Sequence, residues 1–279
     1  MPLLSRPVPG GRVLAAADFH VHTFPLSAST LAPWDLVVEA RRQGLDALAI
    51  TGHNQVLAGK LGRWFSRWIA NRIPNWIDGP IVLAGEEIHA PDYHLIALGI
   101  DTTVSWRRTA ASAIDEIHRQ HGIAIAAHPT AQFRAGYDAE AMRKLDGAEI
   151  VQPISYSAGN AYRDMQEFYG RRQLTAIGSS DYHRVGPVGL CRAYVFTRES
   201  GEQGILEALR QGHTVVYDRA GRAYGDPKLV RLAAQAPRLR EPEDRDPSPG
   251  FLTTFSRTCG LLGMIGVILF GFGARRRPA

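Results

Sequence analysis

In the stretch DFHVHT, from Asp18 to Thr23, two histidines stand two residues apart. Side chains alternate between the two faces of a β-strand, so on a strand His20 and His22 point the same way. Two imidazoles aimed at one spot suggest a metal ion; taken alone they also read as a half-exposed pair at a strand end. The same residue types recur down the chain: His53 in ITGHN, Glu87 in AGEEI, His94 in DYHLIALG, His128 in AAHP, and Asp181 with His183 in SSDYH. Each lies at or near the C-terminal end of an apolar run. Buried imidazoles and carboxylates are costly unless hydrogen-bonded or metallated, and packing gives no reason to place so many at successive strand ends. The set reads as a metal centre with nitrogen and oxygen donors.

Residues this far apart need a scaffold that gathers them. Residues 13–218 alternate short apolar runs with amphipathic stretches, which argues for an α/β chain with a parallel sheet or barrel. RVLAAADFHVHT, LDALAITGHN, IVLAGEEI, YHLIALGI and IAIAAHP read as strands. AMRKLDGAEIVQ is helix then strand, LTAIGSSDYHR is a strand running into a loop, and AYVFTR and TVVYDR flank the helix GEQGILEALRQG. APWDLVVEARRQG and TAASAIDEIHRQHG carry helical spacing and close on glycine. In a βα barrel the C-terminal strand ends surround one cavity, which is where the donors fall. Residues 56–80 interrupt the rhythm: LGRWFSRWIANRIPNWI reads as an amphipathic helix with aromatic bulk on one side. It is either a cap over the barrel, or a flap or membrane-facing helix.

The length of 279 residues suits one large domain or two modest ones. A formal charge of +5 is modest, and no basic face with interleaved aromatics appears, so neither a nucleic-acid scaffold nor a protein partner is expected. Two cysteines, Cys191 and Cys259, leave no disulfide framework and no CxxC knuckle, so ten histidines must supply the nitrogen. Residues 1–12 read as a tail with no convincing signal peptide, 13–225 as the barrel, and 226–250 as a charged, proline-rich linker. Within 251–279, sixteen uncharged residues from Cys259 to Ala274 precede Arg275, Arg276 and Arg277. The expectation there is a single apolar helix serving as a C-terminal membrane anchor or sorting helix, and hence a membrane-anchored protein, its side of the membrane left open. Sixteen residues are short of the roughly 20 that usually span a bilayer.

The pieces DFHVHT, AITGHN, GEEI, HLIALG, AAHP and GSSDYHR, in that order, resemble the PHP (polymerase and histidinol phosphatase) metallohydrolases across about residues 15–218. The spacing of GEEI and YHLIALGI, with the late ILEALRQGHTVVY, is most similar to the subgroup that includes carbamate and ester hydrolases. The resemblance implies a distorted (β/α)7 barrel with two or three divalent ions. It implies that His20, His22, Glu87 and Asp181 hold the first ion, that Glu87 bridges to a second held by His94 and His128, and that His53 and His183 serve a third. Spacing leaves open whether Glu86 or Glu87 bridges; the family's Gly-x-Glu pattern points to Glu87. Two departures stand out. FPLSAST offers only hydroxyls where the family usually has Ser-Asp-Gly or a further histidine, and Gly52 stands where it usually has Asp. A binuclear site is therefore expected, the third position empty or completed by substrate oxygens.

Two ions about 3.5–4 Å apart lower the pKa of a bridging water and clamp substrate oxygens. Mixed imidazole and carboxylate donors suit Zn²⁺, Mn²⁺ or Fe²⁺. The expected reaction is hydrolysis of a small phosphorylated molecule or nucleotide by a metal-bridging hydroxide. The alternatives are hydrolysis of a carboxylic ester, amide or carbamate at the same site, and a membrane-tethered metal-binding module without turnover. His183, if no ion needs it, would protonate the leaving group. Arg134 and Arg184 are candidates to grip a phosphate, or are solvated loop residues. His118 and His121 read as helix-surface residues; His89 and His213 are unassigned.

Overall fold

The computed structural model describes residues 7–9, 11–25, 27, 29–70, 79–157, 159–183, 186–235, 259 and 262. The chain divides into two units, Met1–Asp246 and Pro247–Ala279, and the architecture below is that of the first. In chain order its elements are β1 (Pro7–Val8), β2 (Arg12–Val21), α1 (Pro33–Arg42), β3 (Ala47–His53), α2 (Leu57–Ala70), β4 (Ile81–His89) and β5 (His94–Leu98). Then come α3 (Ala110–Arg119), β6 (Ile123–Ala126), α4 (Ala139–Lys144), β7 (Gly147–Val151), α5 (Ile154–Ser157), α6 (Ala161–Tyr169) and β8 (Thr175–Gly178). The series ends with β9 (Ala193–Thr197), α7 (Glu202–Arg210), β10 (Thr214–Tyr217), β11 (Ala223–Gly225) and α8 (Pro227–Gln235).

The strands form one sheet in the order β11-β10-β9-β2-β3-β4-β5-β6-β7-β8, with β1 paired to β2. β2–β3, β3–β4, β6–β7 and β7–β8 are parallel, as the alternation predicts. β4–β5, β5–β6, β2–β9 and β9–β10 are antiparallel, which a regular (β/α)7 barrel is not. For β5 the reason is connection length: the loop 90–93 between β4 and β5 is far shorter than a parallel crossover, which takes a dozen residues or more. The sheet still curls nearly closed. The Thr214 hydroxyl donates to the Ala176 carbonyl at 2.7 Å, tying β10 to β8, and Val21 bridges Tyr182 just past β8. The architecture is thus a mixed α/β, nearly closed barrel.

Both faces of the sheet are covered. Ala15, Ala17 and Phe19 of β2 pack with Leu83, Ile96, Ile125 and Val195, while Leu14 and Ala16 pack with Leu36 and Leu48 on the other side. That is why β2 reads as a continuous apolar run rather than an alternating one. α2 does not interrupt the rhythm; it is the crossover helix between β3 and β4. Its inward face is small: a Cβ on Gly59 would lie 2.8 Å from the Gly85 nitrogen and the Ile50 carbonyl. Phe65 packs against the core, while Trp64 and Trp68 face out, 62% and 39% exposed.

The membrane-anchored localisation is overturned. No helix among the described residues is long and apolar enough to cross a membrane. A sixteen-residue uncharged run is too short for the ~30 Å hydrocarbon core, which needs about 20 residues. Apart from Cys259 and Leu262, the expected anchor at 251–279 lies outside the described residues, as does most of the expected linker at 226–250.

Candidate metal centre

Strand register assembles the donors. β3 and β4 run parallel with His53 opposite Glu87, and β4 and β5 run antiparallel with His89 opposite His94. Paired residues share a face, and so do Glu87 and His89 two positions apart on β4. Val21 bridges Tyr182, so the flanking residues meet, His20 beside Asp181 and His22 beside His183. The His22 and His183 rings stack with centroids 4.0 Å apart. His128 follows β6, whose end is tied to β5 by the Ala127 N–H donating to the His94 carbonyl at 3.0 Å.

The resulting distances are those of ligands around an ion. His20 Nε2 and His22 Nε2 are 3.0 Å apart. Asp181 Oδ1 is 3.3 and 3.1 Å from them, and Glu87 Oε2 is 3.5 and 3.4 Å from them. Donors at the corners of a tetrahedron with bonds of about 2.0–2.2 Å stand roughly 3.3–3.6 Å apart, close to these spacings, and His20, His22 and Glu87 form one group that could hold an ion while His20, His128 and Asp181 form another. The other oxygen of Glu87, Oε1, lies 3.0 Å from His94 Nδ1 and 3.2 Å from His128 Nε2. Both ring nitrogens of His94 and Oδ1 of Asp181 are buried without a hydrogen bond. Such orphaned groups are costly, and a cation would satisfy them. Donor type, spacing and orphaned lone pairs all fit divalent metal ions.

Neighbouring residues orient the rings. Glu149, fully buried on β7, faces His20 Nδ1 at 2.9 Å and accepts the His128 backbone N–H at 2.6 Å and the Ser179 hydroxyl. With Nδ1 donating to this carboxylate, Nε2 is the nitrogen that His20 turns to the cluster. Asp18 accepts the backbone N–H groups of Ser180 and Gly189 at 3.1 and 2.8 Å, tying the Asp181 loop to β2. Phe133 stacks on His94 with centroids 4.0 Å apart. Asn54, His128 and Asp181 have φ of +50°, +27° and +47°. Non-glycine residues there are strained, and all three lie where strand ends deliver site residues.

Charge is balanced without an ion. Burial pushes the Glu87 carboxyl up, but the surrounding His20, His128 and His53 outweigh it and hold the carboxyl well below its usual range. Burial opposes charge on His20, yet Asp181, Glu149 and Glu87 lift its imidazole well above the ordinary value. Burial brings His22 down to about 4, so it is neutral and able to ligate at pH 7. Glu86 points to the opposite face of β4. It accepts the Val104 N–H at 2.5 Å, and burial pushes its carboxyl up to about 7. The structure thus brings Glu87, not Glu86, to the donors.

His20, His22, His94 and His128 are buried around Glu87, with Asp181 beside them. His53 and His183 sit at the rim, their side chains 31% and 33% exposed. Two groups share His53: His22–His53–His183 and His53–Glu87–His89. Arg134 pairs with Asp164 and Glu167 of α6, each at 3.7 Å. Arg184 lies outside the described residues. Sequence reasoning passed over Glu149, a carboxylate inside the apolar run GAEIV, and left His89 unassigned although it stands two residues after Glu87 on a strand.

Relatives point the same way. A family model described as PHP-associated matches residues 159–214. An uncharacterized protein of Methanocaldococcus jannaschii is 28% identical over 151 residues, 48% of this chain and 80% of that one. A two-domain protein from Bacteroides vulgatus containing a predicted PHP-like metal-dependent phosphoesterase has a TM-score of 0.65 to this structure at 22% identity, over 83% of this chain and 72% of that one. The likeness to the Bacteroides vulgatus protein is one of fold, a nearly closed α/β barrel.

Proposed function

We propose that this protein is a divalent-metal-dependent phosphoesterase acting on a small phosphorylated molecule or nucleotide through a binuclear centre. The observation that carries the reading is Glu87, a buried carboxylate with Oε2 facing His20 and His22 and Oε1 facing His94 and His128. His20, His22, Glu87 and Asp181 would hold the first ion, and Glu87, His94 and His128 the second, with Zn²⁺, Mn²⁺ or Fe²⁺ suited to these donors. When bound, the ions supply an acidified water and a clamp for substrate oxygens.

The chain's own groups do the remaining work. Glu149 keeps the proton of His20 on Nδ1, and Phe133 and the β5 register fix the plane of His94. His183 donates from Nδ1 to the Asp181 carbonyl at 2.9 Å, so Nε2 is the atom that, with the ring as imidazolium, would give its proton to the leaving group and be left with a lone pair. Arg134 reaches a phosphate only by loosening its pairing with Asp164 and Glu167; Arg184 is the second candidate for that contact.

The test strips the full chain with chelator, restores Mn²⁺ or Zn²⁺, and assays chromogenic phosphate monoesters, phosphodiesters and carboxylate esters. The expected result is metal-restored phosphate-ester turnover with two tightly held equivalents. Turnover of carboxylate esters alone would replace the phosphoesterase reading with carboxylic ester, amide or carbamate hydrolysis. No turnover at full occupancy would remove the hydrolase.

A further inference from the structure

The two faces of α2 are built differently. Inward, Ala58, Gly59 and Gly62 let the helix sit close on the sheet, and a Cβ on Gly62 would lie 2.3 Å from Ile50 Cδ1. Phe65 completes that packing. The fold therefore uses the inward face and asks nothing of the outward one. Yet the outward face carries Leu57, Leu61, Trp64 and Trp68, which are 54%, 38%, 62% and 39% exposed. Steps of four, three and four residues keep these side chains in one narrow stripe, the spacing of a coiled-coil seam. The Trp64 and Trp68 rings lie 28° from parallel with centroids 6.3 Å apart. Apolar residues exposed singly are ordinary, whereas a contiguous stripe with two indoles marks a contact surface.

The order of residues along the stripe indicates what covers it. Leucines fill its first half and tryptophans its second. If a second α2 is laid antiparallel about a two-fold axis level with Gly62 and Arg63, Leu57 meets Trp68 of the other copy and Leu61 meets Trp64. Small then faces large at every level, as interdigitating layers require. A parallel pairing in register would set indole on indole and leave gaps beside the leucines. Charge is largely settled within each copy. Arg63 pairs with Asp101 and, at 3.1 Å, with Glu202; Arg67 pairs with Glu202 at 3.0 Å; and Lys60 donates to the Asp101 carbonyl at 3.3 Å. By area, the four side chains expose roughly 400 Å² per copy, about half of the ~800 Å² that a standard interface takes from each partner, enough for its apolar centre.

We propose that the stripe Leu57, Leu61, Trp64 and Trp68 pairs two copies of this chain, α2 against α2, antiparallel about a two-fold axis. Such an interface uses the same patch on both copies and closes at two, so it makes a dimer rather than a filament.

Sedimentation equilibrium of the full chain tests the pairing. Wild type is expected at twice the 30.6 kDa of the chain and to dissociate on dilution. Trp64→Glu, which puts a carboxylate at the centre of the stripe, is expected to raise the dissociation constant at least about a hundredfold. Trp106→Glu, at an indole 40% exposed elsewhere, keeps the dimer. Both positions are exposed, and thermal melts check that both variants stay folded. Register is read by cross-linking in a Cys259→Ser background, which removes the exposed native thiol. Leu57→Cys and Trp68→Cys chains, mixed and oxidised with diamide, are expected to form a disulfide-linked dimer, and neither to do so alone. A wild type that stays monomeric up to roughly 100 µM overturns the proposal, and a shift of its indole fluorescence to the blue on anionic vesicles would then give the stripe to a lipid surface. A dimer that survives Trp64→Glu overturns it too, by placing association elsewhere in the chain. A link formed by Trp68→Cys alone refutes the antiparallel pairing.

Discussion

The two halves of the cavity are held in different ways. Around Glu87, Glu149 and Asp181 the rings are buried, and carboxylates and imidazoles stabilise one another's charges before any ion arrives. At the rim, His53 and His183 are about one-third exposed, and His89 is held through its backbone by Asn54 with its ring 3.9 Å from that of His94. Water screens the rim, so its donors gain little from each other. Burial makes the first half a fixed cluster of donors, whereas exposure leaves the second open to solvent.

Removing the shared carboxylate is the harshest way to break this contrast. Glu87→Ala is expected to release both tight ions and lower kcat/KM by about 10³-fold or more, roughly 4 kcal/mol at 1.36 kcal/mol per decade. Metal analysis alongside the kinetics checks it. If both tight ions stayed bound, the carboxylate would not be the bridge. Next in size is Glu86→Gln, which asks whether the neighbouring carboxyl serves only the fold. Glu86 is pushed up from an ordinary value near 4.5 to about 7, so the native state keeps its proton while the unfolded chain gives it up. Stability is then full below about pH 4.5 and falls as pH rises towards 7. The loss is about 3 kcal/mol, an upper estimate from the size of the shift. Melting of Glu86→Gln at pH 5 and pH 8 should show that this slope has gone, with the tight metal count unchanged.

Glu149→Gln sharpens the comparison from the second layer. His20 would lose a charged acceptor but stay in place, and tight-site affinity should fall about 10- to 100-fold. The smallest effect is expected far from the cavity, at the pair His118–Asp146, 2.8 Å apart. The hydrogen bond that His118 donates to Asp146 raises its imidazole above its ordinary value. Its contribution is present below about pH 6.5 and lost as pH climbs through the raised value. With His118 more than a third exposed, screening limits it to a few tenths of a kcal/mol. His118→Gln should shift melting slightly at pH 6 and not at pH 9, and leave metal binding alone.

Much of the site was legible in the chain because its logic is local. Alternation along a strand is enough to pair His20 with His22, and donors at the ends of successive apolar runs mark one rim of a barrel. Ligand type needs only the count of histidines and the absence of paired cysteines. What a linear reading leaves open is which strand lies beside which, and in what register. The choice between Glu86 and Glu87 was decided by β4 facing His53 on one side and Ile96 on the other. The reversal of β5, the outward turn of Trp64 on α2, the support of Glu149 for His20 and the pairing of His89 with His94 are all settled by a second element. A one-residue slip in pairing would send each of these side chains to the opposite face. Alternation and residue type are written into the chain itself, whereas register exists only once two strands have met.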